Sequence, residues 1–257
     1  MNPRRPNPVK KKLKHNTPSF GSWITIGHPI VAELMAQSGF EWLTIDMEHS
    51  AITLDIAQQL IRTVELSGCI PLVRVRKNDP MLIKQVMDAG AYGVIVPMVN
   101  TKEEAQQAVN AVRYPPKGIR GVGLARAQSY GFGFDSYRQW LETESIIIVQ
   151  IEHIDAVDNL KDILSVEGVD GFIVGPYDIS GSLGAPGDFT TPAFTKAITT
   201  IMKIGKQVNK PAGFHVIPPE KTEVDKIRKL GATFIAISLD TLFLGTLCQD
   251  VLAKVTK

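Results

Sequence analysis

The chain has 257 residues, of which 44% are hydrophobic and 21% charged, with a formal net charge of +2. That length suits one large domain or two small ones, and so apolar a composition at so low a net charge excludes a disordered chain. No run reaches the roughly 18 apolar residues that span a bilayer, residues 1–16 hold no signal-type apolar stretch, and two cysteines, Cys69 and Cys248, allow one bridge at most; a cytoplasmic protein is the expectation.

The chain opens on Arg4, Arg5, Lys10, Lys11, Lys12 and Lys14, and removing these six cations would take the balance from +2 to −4. Such a run can anchor nucleic acid or an anionic surface. No aromatic residue interleaves the charges as a base-stacking platform requires, and Pro3, Pro6 and Pro8 favour an extended chain. Residues 1–17 are therefore expected to be a basic, flexible arm without a nucleic-acid or membrane partner, and residues 18–257 a single domain.

Eight short apolar, β-rich runs follow, at Phe20–Ile26, Trp42–Asp46, Pro71–Val75, Gly93–Pro97, Ile146–Glu152, Gly171–Val174, Ala212–Val216 and Phe234–Ser238. Most lack strict alternation, as strands covered on both faces should. Helical periodicity falls between them, at Val31–Ser38, Asp55–Ser67, Asp79–Ala89, Thr101–Val112, Ala156–Leu164, Phe194–Val208, Lys221–Leu230 and Asp240–Lys254. Thr101 with Glu104 is a capping-box pattern, Asp79 before Pro80 is a helix start, and Gly90 and Gly231 are helix stops. Eight strands alternating with helices predict a (β/α)8 TIM barrel. A doubly wound sheet is the alternative, but no G-x-G-x-x-G follows the first strand. The long connection 113–145 reads as a loop with a short helix near Tyr137–Glu144, a candidate lid.

A barrel does its chemistry at the carboxyl ends of its strands, and there the ionisable residues gather. Strand two ends in Asp46, Glu48 and His49; strand three in Arg74 and Arg76; strand five in Gln150 and Glu152; strand six leads into Gly175, Pro176, Tyr177 and Asp178; strand seven carries His215. Glu152 and Asp178 are the natural pair for a hard divalent cation such as Mg2+ or Mn2+, since neither cysteine nor a close histidine pair accompanies them. Their alternative role is hydrogen bonding at the barrel mouth. His49 is a candidate general base oriented by Asp46 or another acid, or else a loop histidine. Arg74 is either a fixed cation beside developing negative charge or a structural ion-pair member. The run Gly118–Gly123 resembles an anion loop without a Walker lysine, and Lys77 is a poor Schiff-base candidate.

Taken together, Gly21–Trp23, Ile45–His49, Leu72–Arg74, Asn78–Pro80, Val96–Val99, Tyr114–Pro116 with Gly118–Gly121, Val149–Glu152 and Gly168–Gly171 leading to Gly175–Asp178 resemble the HpcH/HpaI family of class II pyruvate aldolases, over about residues 20–240. The resemblance implies a barrel whose last helix packs on a neighbouring subunit, in a homohexamer built as a trimer of dimers. It implies a divalent ion (Mg2+ or Mn2+, with Co2+ admissible) on Glu152 and Asp178, which polarises the keto group of a 2-oxo acid. Proton transfer falls to His49, paired with Asp88 within or across subunits, and Arg74 holds the pyruvyl oxygen. Trp23, Gln150 and the segment Gly175, Pro176, Tyr177 and Asp178 line the pyruvate pocket. The implied reaction is reversible cleavage of a 4-hydroxy-2-oxo acid to pyruvate and an aldehyde. His215 stands where the aldehyde half is met, as a hydrogen-bonding partner for a hydroxyl or a carboxylate, and with the bulky Tyr177 it implies an altered aldehyde preference. The competing readings are a citryl-thioester-type carbon–carbon lyase, marked by a need for coenzyme A, and a binding role through the basic arm.

Overall fold

The apolar runs form eight strands, β1 (Ser19–Ile24), β2 (Trp42–Asp46), β3 (Ile70–Arg74), β4 (Gly93–Val96), β5 (Ile146–Ile151), β6 (Gly171–Val174), β7 (Ala212–Val216) and β8 (Phe234–Leu239). Each pairs in parallel with the next, and β8 returns to β1 to close the barrel, which leaves no free sheet edge. This computed structural model describes residues 4–256; Met1–Pro3 of the expected arm and Lys257 lie outside the described residues. The helices are α1 (Pro8–Lys14), α2 (Pro29–Gln37), α3 (Leu54–Leu66), α4 (Pro80–Ala89), α5 (Lys102–Val112), α6 (Phe134–Glu144), α7 (Ile154–Asp158), α8 (Leu160–Ser165), α9 (Pro176–Ser182), α10 (Pro192–Gln207), α11 (Lys221–Lys229) and α12 (Asp240–Val255). The fold is the (β/α)8 TIM barrel expected from the alternation.

Local signals act as their chemistry requires. The side chain of Thr101 accepts from the Glu104 amide while Glu104 reaches back to the Thr101 amide. Asp79 accepts from the amides of Met81 and Leu82 with Pro80 in the first turn. β2, β4, β5 and β6 are buried along their whole length, as expected for strands covered by helices outside and by packed layers within.

Two expectations fail at the pole where the strands begin. The basic segment from residue 4 is no solvated arm. Asn7 caps α1 by accepting from the amides of Val9 and Lys10, and Pro8 occupies the first turn, where proline favours a helix. Val9 and Leu13, one turn apart, bury themselves in the core. The guanidinium of Arg4 stacks 4.1 Å above Tyr92 and 4.3 Å from Trp140, Arg5 donates to the carbonyl of Cys69 at 2.6 Å, and the ammonium of Lys10 meets Asp170 at 2.5 Å. The connection 113–145 is no lid either. It joins the end of α5 to the start of β5, and its Trp140 packs edge-on to Tyr92 at the start of β4, centroids 4.8 Å apart. Together the two segments close the lower end of the barrel.

α12 differs from the other long helices. Only Asp240 at its first turn is buried, whereas Leu244, Leu247, Val251, Leu252 and Val255 are exposed.

Candidate active site

β2 and β3 bring the first cluster together. Asp46 is 2% exposed and receives Arg74 through two parallel bonds, Nε to Oδ1 at 2.9 Å and Nη2 to Oδ2 at 2.6 Å, a bidentate geometry that fixes the guanidinium. The same Oδ1 accepts the backbone amides of Glu48 and His49 at 3.0 and 3.3 Å, which anchors the loop after β2. The indole of Trp23 lies 4.4 Å under the guanidinium. The imidazole of His49 is not oriented by the Asp46 carboxylate. It stands largely exposed, its Nε2 3.7 Å from Oε2 of Glu48, and that same oxygen lies 3.3 Å from Nε of Arg74. Burial, with Glu152, Asp46 and Asp178 nearby, pushes the Glu48 carboxyl up to about 7 against the opposing pull of Arg74.

β5 and β6 supply the second cluster. Glu152 accepts the amide of Met98 at 2.6 Å and the side-chain amide of Gln150. Met98 follows β4 with φ of 52°, a left-handed backbone that a side chain adopts at a cost and that recurs at functional sites. A Cβ placed on Gly175 would stand 3.1 Å from Oε2 of Glu152 and 3.6 Å from Oδ2 of Asp178, so the two carboxylates converge on one small space beside the backbone of Gly175. Burial and the neighbouring Asp178 raise the Glu152 carboxyl above its ordinary range, partly offset by its hydrogen bonds. Among the described residues no third His, Cys, Asp or Glu joins them.

The clusters face a common hollow. A cavity of about 270 Å³ is lined by Trp23, His49, Arg74, Gln150, Gly175, Pro176, Tyr177, Asp178 and His215, and a wider one of about 600 Å³ adjoins it at Tyr177 and Asp178 and reaches Glu152 and Met98. Among the described residues three buried polar atoms near this mouth, Nε1 of Trp23, Oε2 of Glu48 and Oε1 of Gln150, have no hydrogen-bond partner, although the Glu48 oxygen keeps its ion-pair approach to Arg74; a polar ligand or water would satisfy them. His215 donates from Nε2 to the carbonyl of Ser238 at 2.9 Å, and burial lowers its pKa to about 4.

Asp88 is not part of this assembly within one chain. It sits at the far end of α4, at the lower pole, and binds the fully buried Arg120 at 2.5 Å, so Arg120 is a strut and the run Gly118–Gly123 no anion loop. Glu48 has no separate role on sequence grounds, although it follows Asp46 by two residues; its closeness to both His49 and Arg74 depends on the turn that Asp46 caps.

The family model described as HpcH/HpaI aldolase/citrate lyase matches residues 19–245. The chain belongs to this family. It is 35% identical over 254 residues, 98% of this chain and 94% of the relative, to the 2-keto-3-deoxy-L-rhamnonate aldolase of Escherichia coli K12. The solved HpcH/HpaI aldolase/citrate lyase family protein of Burkholderia cenocepacia J2315 superposes with a TM-score of 0.92 at 32% identity, covering 98% of this chain and 100% of that one. The solved citrate synthase SbnG superposes with a TM-score of 0.85 at 28% identity, covering 96% and 97%. This family member is a carbon–carbon lyase of the aldolase type.

Proposed function

We propose that the protein reversibly cleaves a 4-hydroxy-2-oxo acid to pyruvate and an aldehyde, using a divalent cation held by Glu152 and Asp178. The observation that carries this reading is the convergence of those two carboxylates beside Gly175. Two oxygen ligands without sulfur or a histidine pair suit Mg2+ or Mn2+, with Co2+ admissible, and leave coordination positions for substrate. The cation, when bound, supplies Lewis-acid polarisation of the keto group.

The remaining work belongs to the side chains. Arg74, immobilised by Asp46, presents a fixed positive charge to the keto oxygen as negative charge develops there. His49 takes the proton of the C4 hydroxyl, so that C4 becomes a carbonyl while the C3–C4 electron pair passes to C3. The resulting enolate of pyruvate is then protonated at C3. Glu48, 3.7 Å from the imidazole, steadies the imidazolium between these transfers. The E. coli relative is named for a 2-keto-3-deoxy sugar acid, and a substrate of that class is proposed for this chain.

Self-association belongs to the same reading. The exposed aliphatic face of α12 offers a second copy something to cover, and Asp88 can reach His49 only from another copy; a homohexamer, a trimer of dimers, is the proposed assembly.

The test is pyruvate release from a panel of 4-hydroxy-2-oxo acids, before and after metal stripping with EDTA. Activity lost on stripping and restored by Mn2+ is expected, with Glu152→Ala and Asp178→Ala inactive and unable to bind Mn2+ by calorimetry. Full turnover after stripping, or inactivation by borohydride with pyruvate, overturns the metal-dependent reading. A requirement for coenzyme A would favour the citrate-type chemistry that the SbnG likeness keeps in view.

A further inference from the structure

His215 stands in the cavity lining with Arg74, Gln150 and Asp178. Its Nε2 lies 2.9 Å from the carbonyl oxygen of Ser238. A carbonyl can only accept, so Nε2 carries the hydrogen. That carbonyl is itself held in place. Ser238 ends the regular part of β8 with φ of 48°, and the hydroxyl of Ser22 sits at this bend, 2.7 Å from the carbonyl of Ile237 and 3.1 Å from that of Ser238. In a neutral imidazole whose Nε2 is protonated, Nδ1 is a bare acceptor. Among the described residues Nδ1 has no hydrogen-bond partner, and it is not among the sealed polar atoms.

The surroundings keep the ring neutral. Its face meets Trp23, centroids 5.6 Å apart, and the guanidinium of Arg74 lies across that indole. Asp46, whose charge would favour imidazolium, is engaged by Arg74. Burial and Arg74 agree in direction, and the pKa falls to about 4. Among the described residues Arg74 is also the only guanidinium or ammonium lining this cavity.

We propose that Nδ1 of His215 selects an aldehyde partner that carries a hydroxyl and discriminates against one that carries a carboxylate. This rests on the aldolase reading of the site. A hydroxyl can donate to Nδ1, whereas a carboxylate would set its lone pairs against that of the ring, and the Arg74 guanidinium of the lining is already engaged by Asp46. Once a bound aldehyde shuts water out of the cavity, an analogue lacking the donor leaves this acceptor unpaired and is disfavoured for that reason.

The test is aldol addition of pyruvate to 2-hydroxypropanal, propanal and 4-oxobutanoate by the metal-loaded wild type, His215→Leu and His215→Gln. Wild type is expected to favour 2-hydroxypropanal over propanal in kcat/KM by roughly three- to tenfold, the worth of one neutral hydrogen bond, and to be poorest with 4-oxobutanoate. His215→Leu should abolish the preference for the hydroxyl, and His215→Gln, which can donate to Ser238 and still accept, should restore part of it. Equal rates with the hydroxylated and plain aldehydes, or an unchanged ratio in His215→Leu, overturn this proposal alone. Absence of addition product from every aldehyde removes it together with the aldolase reading. Nitrogen-15 spectra of the wild-type imidazole give a readout free of turnover and of variant folding: at pH 7 a ring protonated at Nε2 alone is expected, and one protonated at Nδ1 overturns the proposal.

Discussion

Replacing Lys10 with alanine probes the closure of the lower pole. Lys10 is 5% exposed, and its ammonium donates to Asp170 at 2.5 Å and to the carbonyl of Ser145 at 2.7 Å. Asp170 also accepts the amide of Ile147 in β5 at 2.9 Å, so the pair ties α1 to the start of two strands. Burial depresses the Lys10 pKa despite the attraction of Asp170, the mark of a charge held in poorly hydrated surroundings. Removing one partner of such a pair costs about 3–5 kcal/mol, because the other charge is stranded. The 14% exposure of the Asp170 side chain and its bond to Ile147 place the loss at the lower end, about 3 kcal/mol. In a chain of this size that lowers Tm by roughly 6–12 °C. Calorimetric melts at fixed protein concentration measure it, with Lys14→Ala as control; the Lys14 ammonium is exposed and its nearest acceptor is 3.4 Å away, so a change within about 0.5 kcal/mol is expected. A Lys10→Ala protein that melts within a degree of wild type would refute the reasoning and return residues 4–14 to a solvated arm.

Two further outcomes concern the mouth. Arg74→Lys keeps the charge but loses the two-pronged grip on Asp46, so kcat should drop roughly 100-fold while Mn2+ affinity by calorimetry is retained; loss of both would make Arg74 a structural residue. In the metal-free protein, Glu48 and His215 should tilt stability against pH in opposite directions. The folded Glu48 carboxyl, raised to about 7, stabilises the fold below the ordinary carboxylate range and loses that contribution as pH rises through 7. His215, lowered to about 4, has its contribution in full above 6.5 and loses it as pH falls toward 4. Urea unfolding at pH 5 and 7 of wild type, Glu48→Gln and His215→Gln reads both slopes, and a reversed sign for either variant would contradict its burial.

The barrel was legible because continuous apolar runs such as Ile146–Val149 and capped helices such as that starting at Thr101 are local signals. Their strand ends then placed Asp46, Arg74, Glu152 and Asp178 at one pole, where the structure pairs Asp46 with Arg74 and turns Glu152 and Asp178 toward the backbone of Gly175. What stayed hidden depends on backbone partners that side-chain identity does not encode. The amide of Met98 on Glu152 and the carbonyl of Ser238 on His215 both come from left-handed residues that are not glycine. The basic segment misled for another reason. Its six cations mask a helix start at Asn7-Pro8 and an apolar stripe at Val9 and Leu13. Asp88 was placed by resemblance alone, and its bond to Arg120 joins residues 32 positions apart.

Gly175 sets a limit on how this pocket could be remodelled. Even a methyl group there would press against the Glu152 side chain, 2.7 Å from its Cβ, so alanine scanning at this one position acts as a wedge between the acidic pair. Two residues later Tyr177 is largely exposed and touches Phe189 edge-on, free to shrink or grow. Directed evolution toward new aldehydes therefore has its latitude at 177 and 215, while position 175 is closed to every residue but the smallest.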